Sequence, residues 1–136
     1  MKIQLDEGAF LPVRAHRQDA GLDIRSPITV KIPPYGSEVI DTGVHVQIPY
    51  GQVGFLKSKS GLYINHDITS EGVIDAGYSG SIKVKLYNNS IVPYEIVRGD
   101  KITQLVVLPV VLDEIEVVDA VHGYERGDAG IGSTGR

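Results

Sequence analysis

A cation, a hydroxyl and a glycine follow one another in Lys59-Ser60-Gly61-Leu62, a succession that can open a helical turn whose amides face an anion. Ala20-Gly21-Leu22-Asp23-Ile24 sets one acid between apolar neighbours. Gly72-Val73-Ile74-Asp75-Ala76-Gly77-Tyr78-Ser79-Gly80 reads as a glycine-flanked hairpin with one acid and one aromatic, and Arg98-Gly99-Asp100-Lys101-Ile102-Thr103-Gln104-Leu105 as a charged turn leading into a strand. The last stretch, Ala120 to Arg136, holds five glycines together with Arg126, Ser133 and Thr134. Amides, hydroxyls and a guanidinium are the donors a polyphosphate asks for, so this tail can order on a phosphate ligand. Most glycine-rich termini are simply frayed. Singly, Asp23, Asp75 and Asp100 are each more often turn or cap residues than catalysts, and Arg98-Gly99-Asp100 as an adhesion signal is a chance tripeptide in most chains that contain it.

The elements that must hold these groups alternate with period two. Ile28, Val30 and Ile32 alternate with polar residues before Pro33-Pro34-Tyr35-Gly36; Val44, Val46 and Ile48 do so before Pro49-Tyr50-Gly51; Ile82, Val84 and Leu86 alternate with Lys83, Lys85 and Tyr87. Each is a strand with one dry and one wet face, punctuated by turn chemistry. At best one helical turn fits, around Ser60 to Ile64. The run Leu105-Val106-Val107-Leu108-Pro109-Val110-Val111-Leu112 does not alternate. It reads either as a central core strand or as a subunit interface, because Pro109 cannot donate to a central ladder and suits an edge or a crossing point. The balance favours an oligomer.

Composition agrees with strands. Among 136 residues, 32 are Val or Ile and 15 are Ala or Leu, and 16 glycines with 7 prolines suit many tight turns. The length argues for one domain. A net charge of −4 argues against a basic nucleic-acid surface as the main function. With no cysteine, disulfides, thiolate zinc sites and cysteine nucleophiles are excluded. The histidines His16, His45, His66 and His122 form no local metal-ligand spacing. The N-terminus lacks the apolar core of a signal peptide, and the eight-residue apolar run falls far short of the ~20 residues that span a bilayer. The expectation is a soluble, cytoplasmic all-β chain.

In order and spacing, the segments AGLDI (20–24), KSGL (59–62), GVIDAGYSG (72–80), RGDKITQL (98–105) and ERGDAGIGSTG (125–135) resemble the five motifs of the homotrimeric dUTPase family, over essentially the whole chain. The resemblance implies a jelly-roll-like β domain (1–119) with a glycine-rich C-terminal arm (120–136), assembled as a homotrimer with active sites shared between subunits. It implies hydrolysis of dUTP to dUMP and pyrophosphate by water attack at the α-phosphate, with Mg2+, limiting uracil incorporation into DNA and supplying dUMP for dTMP synthesis. Asp75 matches the general base that orients and deprotonates the water. Asp23 matches the acid that holds magnesium through water, as suits an ion that keeps several waters. Lys59, Ser60, Gly61 and Gln104 match phosphate contacts, and Arg126, Gly132, Ser133 and Thr134 those of the closing arm. Tyr78 matches the aromatic under the deoxyribose that leaves no space for a 2′-hydroxyl. The resemblance also implies that uracil is read by backbone groups of the hairpin from Gly72 and Ile74 to Lys83, and covered from the position of Ile131.

Three positions depart from the family pattern. Lys59 stands for the usual arginine, which turns a bidentate fork into a point charge. Gly77 stands where many members have a second aspartate. Ile131 replaces a phenylalanine that stacks on uracil, an interaction worth roughly 1–3 kcal/mol per base. A dCTP deaminase, similar in fold, needs a glutamate on the following strand, where this chain has Lys85 and no acid from Ala76 to Ser90. A non-enzymatic regulator that uses dUTP as a switch is the rival from another class, but no insertion interrupts the pattern to supply a contact surface.

Overall fold

The computed structural model describes residues 1–135 and is built almost wholly from short antiparallel strands. In chain order they are β1 (Lys2–Leu5), β2 (Gly21–Arg25), β3 (Val30–Ile32), β4 (Ser37–Asp41), β5 (Val44–Gln47) and β6 (Gln52–Lys57). A single helix α1 (Ser60–His66) follows, then β7 (Ile68–Thr69), β8 (Glu71–Ile74), β9 (Lys83–Asn88), β10 (Tyr94–Ile96) and β11 (Lys101–Pro109). They pair into a four-stranded sheet β2-β11-β6-β8, a three-stranded sheet β4-β9-β7, and the two-stranded ladders β1-β5 and β3-β10.

One apolar cluster joins the sheets, and every strand from β2 to β11 contributes to it. Ile24, Ile40, Val84, Leu86, Ile96 and Leu105 are fully enclosed. β-Branched side chains fit a pleated, covered face, and each such burial stabilises by roughly 1.5–3 kcal/mol. β9 shows the expected alternation residue for residue: Val84, Leu86 and Asn88 are buried, and Lys83, Lys85 and Tyr87 are exposed. The strand expected from Ile28 starts instead at Val30. Ser26 Oγ donates to the Ile28 carbonyl (2.6 Å) and accepts from its N–H, which curls that residue into a turn and leaves it exposed.

The unalternating run proves to be central. β11 pairs with β2 on one side and β6 on the other. Pro109 is its last residue, opposite Gln52, so the proline interrupts no interior bond of the ladder. From Val111 onwards every described residue is exposed, including Leu112, Ile115, Val117 and Val118.

Residues 72–83 are not a hairpin. β8 pairs with β6, whereas β9 pairs with β4 and β7, so the intervening segment carries the chain from one sheet to the other. Its two ends are anchored in the core by Ile74 and Ile82, and Ile82 N–H donates to the Val44 carbonyl (2.8 Å). The helix runs over seven residues rather than one turn, starting from the Tyr63 N–H to Lys59 carbonyl bond and ending at Asp67 in the left-handed region.

Candidate active site

One row across the four-stranded sheet sets Asp23 of β2 opposite Gln104 of β11, Gln104 opposite Lys57 of β6, and Lys57 opposite Glu71 of β8. Asp23 is buried, yet both its oxygens are bonded: one to the Lys59 ammonium, the other to Lys101 Nζ at 2.7 Å. Burial pushes the Asp23 carboxyl up, but hydrogen bonds and charge from Lys101 and Lys59 outweigh it and hold it below the ordinary carboxylate value. The acid is therefore ionised at neutral pH, and it draws Lys59 over the end of the sheet.

The loop that presents Lys59 rests on a buried hydroxyl network. Ser70 Oγ and Thr103 Oγ1 are 2.9 Å apart, Thr103 donates to the Lys57 carbonyl, and Ser58 Oγ bridges the Ser70 backbone. Gln104 Nε2 donates to the Ser58 carbonyl at 3.1 Å. The Gln104 side chain crosses β2 at Gly21, where a methyl group would stand 3.0 Å from Gln104 Cβ and nearer still to its amide oxygen. Only a residue without a side chain lets Gln104 lie there. Ser60 and Gly61, the first residues of α1, are exposed beside Lys59.

Asp75 lies elsewhere on the chain. It follows the last residue of β8, four residues beyond Glu71, and is thus about 13 Å along the strands from the Asp23–Gln104 row at ~3.3 Å per residue. Its carboxylate is exposed, and its carbonyl closes a turn with the Tyr78 N–H (3.0 Å). Tyr78 folds back over Gly80, with its hydroxyl donating to the Ser81 carbonyl (2.8 Å); a methyl on Gly80 would stand 2.6 Å from the ring carbon Cζ. Gly72 faces Leu56 across the ladder, and the Ile74 side chain is in the core, so only the backbone of either can meet a ligand. Lys83 is exposed opposite Asp41.

A third group belongs to the C-terminal segment. Arg126 donates to the carbonyls of Ala129 (2.9 Å) and Gly130 (3.2 Å), so the guanidinium serves its own turn. Ile131, Gly132, Ser133 and Thr134 are exposed, and Gly132 takes a positive φ of 78° that suits glycine. A cleft of about 570 Å³ lined by Lys57, Ser58, Tyr63, Thr69, Ser70, Glu71 and Tyr87 contains neither Asp23 nor Asp75.

The chain thus gathers Asp23, Lys59, Ser60, Gly61 and Gln104 at one end of a sheet, Asp75 and Tyr78 beyond its other end, and the arm residues on an exposed segment. Sequence reasoning gave Lys101 no role, although a buried carboxylate calls for compensating charge. Ser70, between β7 and β8, and Thr103 in β11 are buried hydroxyls whose network beneath Lys59 depends on how those strands pack.

A family model described as dUTPase matches residues 8–135. A deoxyuridine 5'-triphosphate nucleotidohydrolase of Corynebacterium efficiens is 42% identical over 98% of this chain and 76% of its own length. Its counterpart from Gloeothece citriformis is 37% identical over 97% of this chain and 93% of its own. Among solved structures, the Staphylococcus bacteriophage 80alpha dUTPase with dUPNHPP superposes with a TM-score of 0.93 at 32% identity, over 99% of this chain and 98% of that one. A mutant dUTPase from phage phi11 of S. aureus, described with the coordination of a structural Mg(II) ion, gives 0.82 at 34% identity over 88% and 96%.

Proposed function

The chain belongs to the dUTPase family and hydrolyses dUTP, and from that premise we propose that Asp75 is the general base, acting on triphosphate held by a neighbouring subunit's Ser60, Gly61 and Gln104 in a homotrimer. The observation that carries this is the separation within one chain. A base must come within about 2.6–3.2 Å of the proton it takes, whereas Asp75 and Gln104 stand near opposite ends of one rigid sheet. A second copy closes that distance. The exposed apolar residues after β11, Val111, Leu112, Ile115, Val117 and Val118, support the same assembly, since such a run in water calls for a cover.

In this arrangement Asp75, exposed and free to accept, orients a water towards the α-phosphorus and takes its proton. The products are dUMP and pyrophosphate, which keeps uracil out of DNA and supplies dUMP for dTMP synthesis in the cytoplasm. Lys59 and Gln104 offer a point charge and an amide to the phosphates. Tyr78 lies against the deoxyribose, and the backbone around Gly72, Ile74 and Lys83 reads the uracil edge. Arg126, Gly132, Ser133 and Thr134 close on the terminal phosphate, and Ile131 covers the base.

The residues present fit a hydrated magnesium ion carried on the substrate. Among the described residues no three His, Asp or Glu side chains are grouped to cage a metal. Asp23 offers one ionised carboxylate whose oxygens each bond one lysine, leaving lone pairs for a metal-bound water. Magnesium supplies neutralisation of the phosphate charge when bound.

The test is Asp75→Asn. Turnover of dUTP should fall at least about 100-fold, the low end for a positioned general base, with dUTP affinity by calorimetry nearly unchanged. A loss below about tenfold would move the base elsewhere.

A further inference from the structure

Between Asp75 and Ile82 the chain crosses from one sheet to the other, and two side-chain hydrogen bonds tie this crossing to the rest of the fold. Ser81 Oγ donates to the Asp41 carboxylate, and His45 Nδ1 donates to the Ser79 carbonyl at 2.8 Å. The other ring nitrogen of His45 lies 3.2 Å from both carboxylate oxygens of Asp6, just beyond β1. We propose that His45 is a positioning residue for sugar selectivity: its ring clasps Ser79 to Asp6 and so holds Tyr78 where it excludes a 2′-hydroxyl, a role that rests on the reading of Tyr78 given above.

The partners fix the protonation state. A carbonyl and a carboxylate can only accept, so both ring nitrogens must donate, and only the imidazolium has two N–H groups. Neutral imidazole keeps one bond and turns a lone pair towards the other acceptor. The surroundings favour the charged form. The Ser79 carbonyl and the Asp6 carboxylate raise the His45 pKa above its ordinary value against a smaller opposing effect of burial, and Asp41 at the end of β4 adds to the rise. Lys83, at the start of β9, acts on Asp41 rather than directly on the ring. Lys2 and Tyr78 line the same cleft, of about 390 Å³, that opens beside the clasp. His45 is a fifth exposed, open enough to exchange its proton with water.

Deprotonation therefore loosens the turn that carries Tyr78 while leaving Asp23, Lys59 and Gln104 untouched. The readout is the ratio of kcat/KM for dUTP to that for UTP, because groups that serve both substrates alike cancel in it. Ring-nitrogen NMR follows the His45 titration in parallel. As pH rises through the midpoint of the ring, which lies above the ordinary histidine value, the wild-type ratio should fall about fivefold, the scale of one net hydrogen bond. The fall should appear mainly as a rise in kcat/KM for UTP, the substrate that Tyr78 excludes. In His45→Gln, which can donate one bond but cannot titrate, the ratio should be flat and low. In Asp6→Asn, which keeps the ring and removes the facing charge, both midpoints should move to lower pH together. Tyr78→Ala is the reference and should abolish the ratio at every pH. If Tyr78→Ala keeps the wild-type ratio, the Tyr78 reading fails and takes this proposal with it. If Tyr78→Ala abolishes the ratio but His45→Gln leaves it at the wild-type value, or the wild-type ratio stays constant while the ring titrates, the clasp alone is overturned.

Discussion

Lys101 Nζ stands 2.7 Å from Oδ2 of Asp23, and that pair, with Lys59 on the other oxygen, keeps a charged carboxylate in a nearly solvent-free site. Removing water from a lone carboxylate costs far more than one ammonium returns in water, so the two lysines act together. Since the folded-state pKa of Asp23 is depressed, the stability it contributes is present above the unfolded value of 3.8 and is lost as pH falls through the folded value. Melting curves at successive pH values should therefore show wild type losing Tm on acidification below 3.8, while Asp23→Asn, already less stable, loses less over the same window. Equal acid slopes for the two proteins would place the acid-labile group elsewhere.

Gly21 is the seat of Gln104, and a methyl there meets Gln104 Cβ at 3.0 Å. Gly21 is paired with Val106 and Gln104 with Asp23 in the ladder of β2 and β11, so neither backbone can swing away freely. Gly21→Ala should cost about 1–3 kcal/mol as overpacking and displace the Gln104 amide, lowering kcat/KM for dUTP by roughly tenfold, which is 1.36 kcal/mol of lost transition-state contact. Gly77→Ala is the control for stability, because a methyl at Gly77 meets nothing within 4 Å. Matching Tm and kinetics for Gly21→Ala and wild type would show that Gln104 does not depend on that approach.

How much of this was legible follows from the range of the interactions. Strands such as β9 announce themselves, because alternation is local and Val84 and Leu86 bury where Lys83 and Lys85 do not. The segment around Asp75 misled, because glycine spacing shows that the chain turns but not that Ile74 and Ile82 enter different sheets; strand partnership is decided by distant residues. The run from Leu105 carried its central place in the absence of alternation, while Pro109, which suits an edge or a crossing point, is the last residue of the ladder. Asp23, Ser60 and Gln104 were visible as members of segments. The roles of Lys101 and His45 were not, since Lys101 depends on the register of β2 against β11 and His45 on Asp6 and Ser79, far apart in sequence.

Ile131 is fully exposed and touches nothing that fixes it. Any energy it contributes to catalysis must therefore come from contact with bound nucleotide. An isoleucine covers a base by dispersion alone, whereas a phenylalanine ring stacks, at roughly 1–3 kcal/mol per base. Ile131→Phe should lower KM for dUTP with no change in Tm, measured by steady-state kinetics and calorimetry. A KM equal to or above wild type would show that this enzyme covers uracil by another route.

The distance between Asp75 and Gln104 makes a sharper test of assembly. A chain truncated after Gly123 should fold and form trimers, because the described residues beyond it, 124–135, are exposed and outside the core cluster. It should lose hydrolysis, since Arg126, Ser133 and Thr134 are gone. Full-length Asp75→Asn should be inactive for the opposite reason: it keeps the arm and lacks the proposed base. If base, phosphate seat and arm come from different subunits, some mixed trimers hold a site with an intact Asp75 from the truncated chain and an intact arm from the full-length one. Co-refolding the two should restore pyrophosphate release in a fraction of sites, while either protein refolded alone stays silent. If each chain supplies its own base and its own arm, every site in every mixture lacks one of them. Silence from mixed trimers verified by native mass spectrometry would then assign base and arm of each site to one chain.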